Sequence, residues 1–375
     1  MKICYFGTYD KKRPRNRIII EGLRKNGIEV IECHFSVWGN IEDKSQVRSV
    51  LAKLKICFKF IISHIVLSFK YMGTREHDAI LVGYMGHFDM FIAKPLAMIR
   101  RKRVYFDAFL SLYDTIVFDR KLIKKQNPLS GLLYFIDKTS CRLADKVFLD
   151  TNAQINYFAQ TFKLKKDKFR RIFIGGDENL FYPKSSAETS EQQEKFFNVL
   201  FYVQFTPLHG VRYIIKAAQI LAREKDIKFT FIGQGQEYAK MKNMARELGL
   251  TNITWLGWIR HEEILDYIAA SEVCLGIFGD TEKASRVIPN KAFEIIASKK
   301  PLVTGDSQAS RELFTDKKDA VFCAMADPES IARSILLLKN DISLRNGVAE
   351  KGYELFIQKC SIKKTGEQTL SAILK

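Results

Sequence analysis

The chain has 375 residues, of which 47% are hydrophobic. This is enough material for two cores, because domains usually hold about 100 to 200 residues. The net charge of +18 is uneven, since residues 1–182 carry 33 basic and 18 acidic side chains and residues 183–375 carry 27 and 24. The seven cysteines form no C-x-x-C pair, the six histidines show no ligand spacing, and Asp-x-Asp is absent. We therefore expect two domains, a reducing compartment and no bound metal.

The N-terminal half alternates between short strands and longer helices. The segments "KICYFG", "AILVG", "RVYFD" and "KVFLD" predict strands, and residues 14–26, 88–100 and 152–162 predict helices between them. This alternation is typical of a parallel sheet. The chain starts with a strand-like segment rather than a basic and apolar leader, so a cytoplasmic location is expected.

Residues 47–72 form a basic and apolar segment with five basic side chains and no acidic one. On a helix, Arg48, Lys55, Lys59 and Lys70 fall within an arc of roughly 60°, and only Lys53 lies outside it. One interpretation is a helix lying on an anionic membrane surface, with Lys55 and Lys59 among the head groups. The other is a domain helix that covers a sheet and keeps its lysines in water. The longest uncharged run, residues 60–69, is too short to cross a bilayer.

The polar residues 183–196, "PKSSAETSEQQEKF", predict a linker. After them the rhythm restarts with the strands "FNVLFYV", "KFTFIG", "ITWLG", "VCLGIF" and "PLVTG". The predicted fold class is α/β, with two doubly wound parallel-sheet domains over 1–182 and 197–355. The last segment, 356–375, is predicted as a helix that crosses back to the N-terminal domain. Ligands bind beyond the carboxyl ends of such strands, so the site is expected in the cleft between the domains.

Two loops after strands of the C-terminal half are candidates for binding a phosphate. "YVQFTPLHGVRY" places His209 and Gly210 at the start of a helix, where backbone N–H groups are unpaired. "FIGQGQE" places Gly233 at a strand end, where the backbone can approach a ligand or simply turn. Each motif alone is unspecific.

The segment "RVIPNKAFE" combines several features of a nucleotide site. Pro289 suits a first helical turn, and the free amides near Asn290 can hold a diphosphate. Arg286 or Lys291 would neutralise it. Glu294 can accept hydrogen bonds from two ribose hydroxyls, or it can favour the helix dipole and pair with Lys291.

Together these segments resemble the group 1 (family 4) glycosyltransferases, which have the GT-B fold. The resemblance covers nearly the whole chain and also rests on "FGTYDKKRPRNRIIIEGLRKNGIEV", "LADKVFLDTNAQINYF" and "LGWIRHEEILDYIAASEVCLGIFGDTEKA". It implies a UDP- or GDP-linked sugar donor on the C-terminal domain and a glycan or lipid-linked acceptor on the N-terminal domain. It also implies transfer without a metal or other cofactor, with retention of anomeric configuration, in the synthesis of a cell-surface polysaccharide or glycolipid.

By this resemblance Glu294 holds the ribose, Gly257 and Trp258 flank the base, and residues 203–210 surround the diphosphate. The full predicted donor-binding set is Gly7, Gln204, His209, Gly210, Gly233, Gly257, Trp258, Arg286, Asn290, Lys291 and Glu294. Relatives carry Arg and Lys at the positions of Gln204 and His209, and Glu at the position of Arg286. Positive charge is therefore expected to have moved from one wall of the phosphate site to the other.

On the acceptor side, His87 and Asp107 are the catalytic candidates. His87 would hydrogen-bond the sugar or protonate the phosphate, and Asp107 would orient an acceptor hydroxyl, although each residue can also cap the helix that follows it. Arg15 and Arg17 are candidates for binding phosphates, or they belong to a solvated basic face. Nucleic acid is not expected, because aromatic and arginine side chains are not interleaved.

Two other functions stay open at this point. A GT-B epimerase would act on a free nucleotide sugar and would need paired carboxylates in the cleft. An inactive GT-B subunit that scaffolds a membrane complex is suggested by the replacements at Gln204, His209 and Arg286. Either a cytoplasmic location or a peripheral one, on the inner face of the membrane, fits the sequence.

Overall fold

The computed structural model describes residues 1–37, 50–184 and 196–375. Arg48 and residues 185–195 of the predicted linker lie outside the described residues. The N-terminal strands are β1 Lys2–Gly7, β2 Glu29–His34, β3 Ala79–Val82, β4 Arg103–Asp107, β5 Lys146–Leu149 and β6 Phe169–Arg171. The helices among them are α1 Pro14–Lys25, α2 Val50–Met72, α3 Met90–Ile99, α4 Pro128–Leu143 and α5 Asn152–Phe162. The strands pair in parallel, in the order β2-β1-β3-β4-β5-β6.

The C-terminal half repeats this plan. Its strands are β7 Phe197–Tyr202, β8 Ile227–Ile232, β9 Ile253–Leu256, β10 Val273–Leu275, β11 Leu302–Gly305 and β12 Val321–Cys323. Its helices are α6 Val211–Ile220, α7 Tyr238–Glu247, α8 Ile264–Ala269, α9 Asn290–Ala297, α10 Pro328–Asn340, α11 Ile342–Leu355 and α12 Ile362–Leu374. The strands are parallel in the order β12-β11-β10-β7-β8-β9. The predicted fold class is confirmed.

Each sheet is covered on both faces, which explains its apolar strands. In β1, Cys4 and Phe6 belong to one core and Ile3 and Tyr5 to the core on the other face. The strands that the sequence patterns missed are β2, β6 and β12, and all three lie at sheet edges. Edge strands are covered less completely, so their apolar pattern is weaker.

Helix α12 lies on the N-terminal domain, against α1. The two helices cross at Gly22 and Gly366, where a Cβ on Gly22 would lie 2.8 Å from the Gly366 nitrogen. The Tyr105 hydroxyl donates to the Ile373 carbonyl at 2.7 Å, and Asn26 Nδ2 donates to the Lys363 carbonyl at 2.9 Å. The chain end therefore connects the two domains. Within the described residues, no helix has both the length and the apolarity needed to cross a membrane.

Candidate active site

The carboxyl ends of the two sheets meet across a cleft. Arg286 of the C-terminal domain forms an ion pair with Asp114 of the N-terminal domain at 2.9 Å. The Thr151 hydroxyl donates to the Arg286 carbonyl at 2.6 Å. Lys283 donates to the Thr115 hydroxyl at 2.7 Å. These contacts hold the two halves of the site together.

Glu294 lies on α9 at the floor of the cleft and is almost fully buried. The Tyr202 hydroxyl donates to its Oε2 at 2.8 Å, and His261 Nε2 lies 3.1 Å from its Oε1. Burial lowers the pKa of His261, but the hydrogen bond to Glu294 and the negative charge of Glu294 together raise it above its usual value. Glu294 is therefore held by Tyr202 and His261, not by the ion pair with Lys291 that the sequence left open.

Lys291 and His209 carry buried polar atoms that lack partners. Lys291 Nζ lies 3.7 Å from the centroid of the Phe201 ring and finds no hydrogen-bond partner in the part of the chain that the structure describes. The same holds for His209 Nδ1. Burial lowers the pKa of the Lys291 amine and the pKa of the His209 imidazole well below their usual values. The charge of Lys291 lowers the pKa of His209 further. Buried polar groups without partners are rare and often mark the place of a ligand.

The start of α9 adds free donors to the same region. Its N-cap is Pro289, which offers no side-chain cap, so the amides near Asn290 are open to a ligand. An anion at this position would face the positive end of the helix dipole. Asn290, Lys291 and Glu294 lie together on α9, and their binding of a donor stays a prediction.

Glycines let the neighbouring loops pack on one another. Gly210 has φ of +66°, and a Cβ there would lie 2.5 Å from the Gly279 nitrogen. Gly233 has φ of +128° and packs on the Val203 carbonyl. Positive φ angles and close packing therefore explain why glycine stands at both positions, and the binding of a donor by these glycines stays a prediction. Gly257 and the exposed Trp258 lie on the loop after β9, so their contact with a base also stays a prediction.

Arg286 spans the contact between the two domains. Its Nη2 binds Asp114, its Nη1 lies 3.3 Å from Glu282, and its guanidinium lies over the Tyr157 ring at 3.9 Å. Its buried Nε has no hydrogen-bond partner among the described residues. The ion pair with Asp114 was not foreseen from the sequence, and the binding of phosphate by Arg286 stays a prediction.

Arg15 and Asp107 form a fully buried ion pair. Arg15 Nη2 lies 2.7 Å from Asp107 Oδ1, and Arg15 Nη1 donates to the Ile172 carbonyl at 2.8 Å. Neither side chain reaches the cleft surface. The predictions of Arg15 as a phosphate ligand and Asp107 as the group that orients the acceptor are therefore corrected, because each neutralises the other.

His87 is also fully buried behind the cleft. Its Nε2 lies 3.1 Å from the Leu110 carbonyl and 3.4 Å from Asp137 Oδ1, while Nδ1 has no partner among residues that the structure describes. Burial lowers its pKa, and the nearby Asp137 only partly opposes this. The side chain makes no contact with the cleft in this arrangement, which corrects its role as a group touching the sugar. It does not cap α3 either, because that helix begins at Met90 with Asp89 at its N-cap.

Four further predicted residues lie on the N-terminal domain. Gly7, with φ of +131°, has the Asp89 carboxylate in the space of its missing side chain, and the Thr8 amide donates to Asp89 at 2.8 Å. Arg17 Nε binds Asp177 at 2.7 Å. Lys55 and Lys59 are exposed on α2. Contacts of Gly7 or Arg17 with substrate, and of the lysines with membrane, stay predictions.

Comparison with known proteins gives the family. Residues 183–355 match the model described as glycosyl transferases group 1. The C-terminal domain of this chain, which holds these residues, belongs to the group 1 glycosyltransferases. An alpha-D-kanosaminyltransferase of Streptomyces kanamyceticus is 22% identical over 273 residues, which is 71% of this chain and 68% of that protein. LpsE, a lipopolysaccharide core biosynthesis glycosyltransferase of Rhizobium meliloti, is 24% identical over 155 residues, 41% of this chain and 43% of that protein.

The fold of this glycosyltransferase is shared with solved structures. Anabaena HepE, crystallised with UDP-glucose, matches with a TM-score of 0.70 at 15% identity, over 100% of this chain and 99% of that one. The predicted GT-B fold and glycosyltransferase class are thus confirmed. Among the described residues, no group of three or more His, Cys, Asp or Glu side chains has the arrangement of a metal site.

Sequence reasoning missed several residues of the glycosyltransferase site. They are Tyr202, His261 and Lys283. Tyr202 ends a predicted strand, so its position was available as a signal. Lys283 enters the site only because the two domains meet, where it binds Thr115, and no local pattern marks it.

Proposed function

We propose that the protein moves a sugar from a UDP- or GDP-linked donor to a glycan or lipid-linked acceptor in the synthesis of a cell-surface polysaccharide or glycolipid. The observation that carries the donor assignment is the pair of buried groups without partners, Lys291 Nζ and His209 Nδ1, beside the start of α9. A diphosphate would supply their missing hydrogen bonds and face the free amides of the helix. The UDP-glucose complex of HepE supports this class of donor.

The proposed chemistry follows from the charges at the site. The bond between the anomeric carbon and the diphosphate oxygen breaks, and a bond from the acceptor oxygen to that carbon forms. Lys291 and the α9 amides stabilise the negative charge on the departing diphosphate. We place the acceptor proton on the departing phosphate oxygen, because the Asp107 carboxylate is buried in an ion pair with Arg15 and does not reach the cleft. Retention of configuration and independence of metal ions belong to this proposal, as the family resemblance implies.

The reaction is tested by incubating the protein with UDP- and GDP-sugars, with and without lipid-linked acceptors, in the presence of EDTA. We expect release of nucleoside diphosphate that requires an acceptor and survives EDTA, and an NMR coupling constant at the product's anomeric proton that reports retention. Conversion of the donor sugar without acceptor would indicate an epimerase instead. No turnover and no nucleotide binding would contradict an enzymatic role of this site.

Glu294 is proposed as the group that holds the ribose of the donor. Glu294→Ala should weaken donor binding by about 1 to 3 kcal/mol, since ribose hydroxyls would lose their acceptor. Isothermal titration with UDP measures this, and the exposed neighbour Glu262→Ala is the matched control. Unchanged affinity would place the ribose elsewhere, and an unfolded variant would make Glu294 a structural partner of His261.

We further propose that α2 rests on the inner face of the membrane. Its buried side packs Leu67 and Tyr71 into the N-terminal core. Its outer side is apolar and spans an arc of roughly 140° at 100° per residue. The exposed large side chains of this apolar face of α2 are Phe58, Ile61, Ile62, Ile65, Val66, Phe69 and Met72. Lys55 and Lys59 run along one border of the face.

A lipid bilayer fits this surface better than water does. Monomeric proteins seldom expose so many large apolar side chains on one helix, and lysines beside such a face favour anionic head groups. The helix also touches the cleft, since His64 Nε2 lies 3.3 Å from Asp89, which binds Thr8 at the end of β1. An acceptor anchored in the membrane would therefore reach the N-terminal side of the cleft.

Vesicle sedimentation tests this proposal. We expect Ile61→Ser/Ile65→Ser/Phe69→Ser to lower the bound fraction on phosphatidylcholine vesicles with and without phosphatidylglycerol. Lys55→Glu/Lys59→Glu should lower binding only to vesicles with phosphatidylglycerol, and Ile342→Ser, an exposed apolar residue of the C-terminal domain, should change nothing. Unchanged binding of the triple variant would contradict the proposal, as would its conversion of an oligomer to a monomer without loss of vesicle binding.

A further inference from the structure

Arg120 extends from the N-terminal domain onto the donor side of the cleft. It follows the π-helical turn Asp114–Asp119. Its Nη2 lies 3.4 Å from Gln204 Oε1, and its carbonyl accepts a hydrogen bond from Gln236 Nε2 at 3.1 Å. Both contacts are with loops of the C-terminal domain, after β7 and β8, so Arg120 belongs to one domain and contacts the other.

The Arg120 guanidinium is not neutralised. Among the residues that the structure describes, no carboxylate lies within ion-pair distance of it, and Asp119, its neighbour in the chain, lies 3.6 Å from Lys283 Nζ. Lys283 is a second buried cation at this crossing and also binds Thr115. The amide oxygen of Gln204 gives Arg120 only one weak hydrogen bond.

Arg120 reaches the loop that holds His209. Its Nη2 contacts Gln204 on the loop after β7, and His209 lies on the same loop. His209 Nδ1 and Lys291 Nζ have no hydrogen-bond partners in the described parts of the chain. Burial, and after it the charges of Lys291, Arg120 and Lys283, lower the pKa of His209. Basic side chains from both domains beside these two open atoms suit an anion with more than one charge.

We propose that Arg120 binds the diphosphate of the donor, so that the phosphate site is completed by a residue of the N-terminal domain. This inference rests on the proposed donor site. It adds a residue of the N-terminal domain to phosphate-binding residues that all lie in the C-terminal domain. A diphosphate held by Lys291 on one side and Arg120 on the other would tie the two domains together. The leaving group would then be stabilised only while the cleft is closed.

The test compares UDP and uridine binding to the full-length protein by isothermal titration and NMR. Arg120→Gln should weaken UDP roughly tenfold to a hundredfold, as for a lost hydrogen bond to a charged group, and should leave uridine nearly unchanged. Gln204→Arg in the Arg120→Gln background should restore most of the UDP affinity, because it returns a guanidinium to the contacting position. Lys124→Gln, an exposed basic neighbour, is the matched control.

The outcomes separate this inference from the proposed function. If the unsubstituted protein binds no UDP or GDP, the proposed donor site fails. If it binds UDP and Arg120→Gln binds equally well, only the role of Arg120 is overturned. Equal loss for UDP and uridine, or no recovery with Gln204→Arg in a variant that unfolds like the parent, would show that Arg120 serves domain packing and would also overturn it.

Discussion

The charged groups near the carboxyl ends of the strands do not follow the overall charge of each domain. The N-terminal half has a large surplus of basic side chains, yet β4 ends at Asp107, Asp150 follows β5, and Asp89 fills the bend at Gly7. The C-terminal half is nearly balanced, yet its side of the cleft presents Lys291 without a partner among the described residues. The net charge of a domain thus predicts neither the sign of the charged side chains near the carboxyl ends of its strands nor whether those side chains are paired.

The difference in pairing matters more than the difference in sign. On the N-terminal side, Asp107 is bound by Arg15, and Asp137 lies beside His87 and accepts from the Ser111 hydroxyl. On the C-terminal side, Lys291 Nζ and His209 Nδ1 have no hydrogen-bond partner among the described residues. His87 Nδ1 and Asp150 Oδ1 lack partners on the N-terminal side too. The contrast therefore concerns Asp107 and Lys291: the carboxylate is paired and the amine is not, which agrees with the proposed donor position.

The largest expected effect comes from opening the N-terminal ion pair. Arg15→Met should lower the free energy of unfolding by about 3 to 5 kcal/mol, because it leaves Asp107 buried and unpaired. Urea unfolding measures this. Arg15→Met/Asp107→Asn should recover part of the loss, and Arg13→Met, which removes an exposed pair, should cost less than about 1 kcal/mol. A small change in the free energy of unfolding of Arg15→Met would contradict the structural role of the Arg15–Asp107 ion pair.

A smaller effect is expected from Asp150, whose Oδ1 lacks a partner within the described ranges. Burial raises the pKa of Asp150 to about 7, and Arg15 opposes this only in part. The folded protein therefore keeps a proton that the unfolded chain loses, and this stabilisation disappears as pH rises from about 4 to about 7. Asp150→Asn should flatten the fall in unfolding free energy over that range. If the free energy of unfolding of Asp150→Asn depends on pH as that of the parent does, the raised pKa of Asp150 is contradicted.

The smallest expected effect concerns His261 at the C-terminal edge. Its pKa is raised by Glu294 against the effect of burial, so the stabilising contact is complete below about pH 6.5 and is lost as pH rises through the raised pKa. His261→Asn should therefore cost more stability near pH 6 than near pH 8. Thermal unfolding at both values measures the difference, and an equal cost would show that the contact does not depend on the proton.

The sequence predicted the sheets well because their central strands are buried on both faces and read as apolar runs. Edge strands such as β6, with its arginines Arg170 and Arg171, lack that pattern. Glu294 could be predicted as a site residue because a carboxylate is unusual in an otherwise apolar helix. Arg120 could not be predicted, since its contact with Gln204 joins residues 84 positions apart and depends on how the domains meet.

The ion pair of Arg286 could not be predicted for the same reason. The local sequence gives no sign of Asp114, which lies on the other domain and binds the Arg286 guanidinium. The predicted roles of Arg15 and Asp107 were wrong because the side chain at the end of β4 pairs with an arginine of α1 inside the domain. Contacts between distant segments, rather than local motifs, decide which charges are free to bind a ligand.

The central claim is that the C-terminal edge keeps Lys291 Nζ without a hydrogen-bond partner of its own, ready for the donor diphosphate. The most direct measurement is UDP and uridine titration of Lys291→Met, with Lys299→Met as the exposed control. We expect UDP affinity to fall about tenfold or more with uridine binding kept, and the free energy of unfolding to stay constant or rise, because a buried polar group without a hydrogen-bond partner is removed. UDP binding equal to that of the parent, or loss of folding, would contradict the claim.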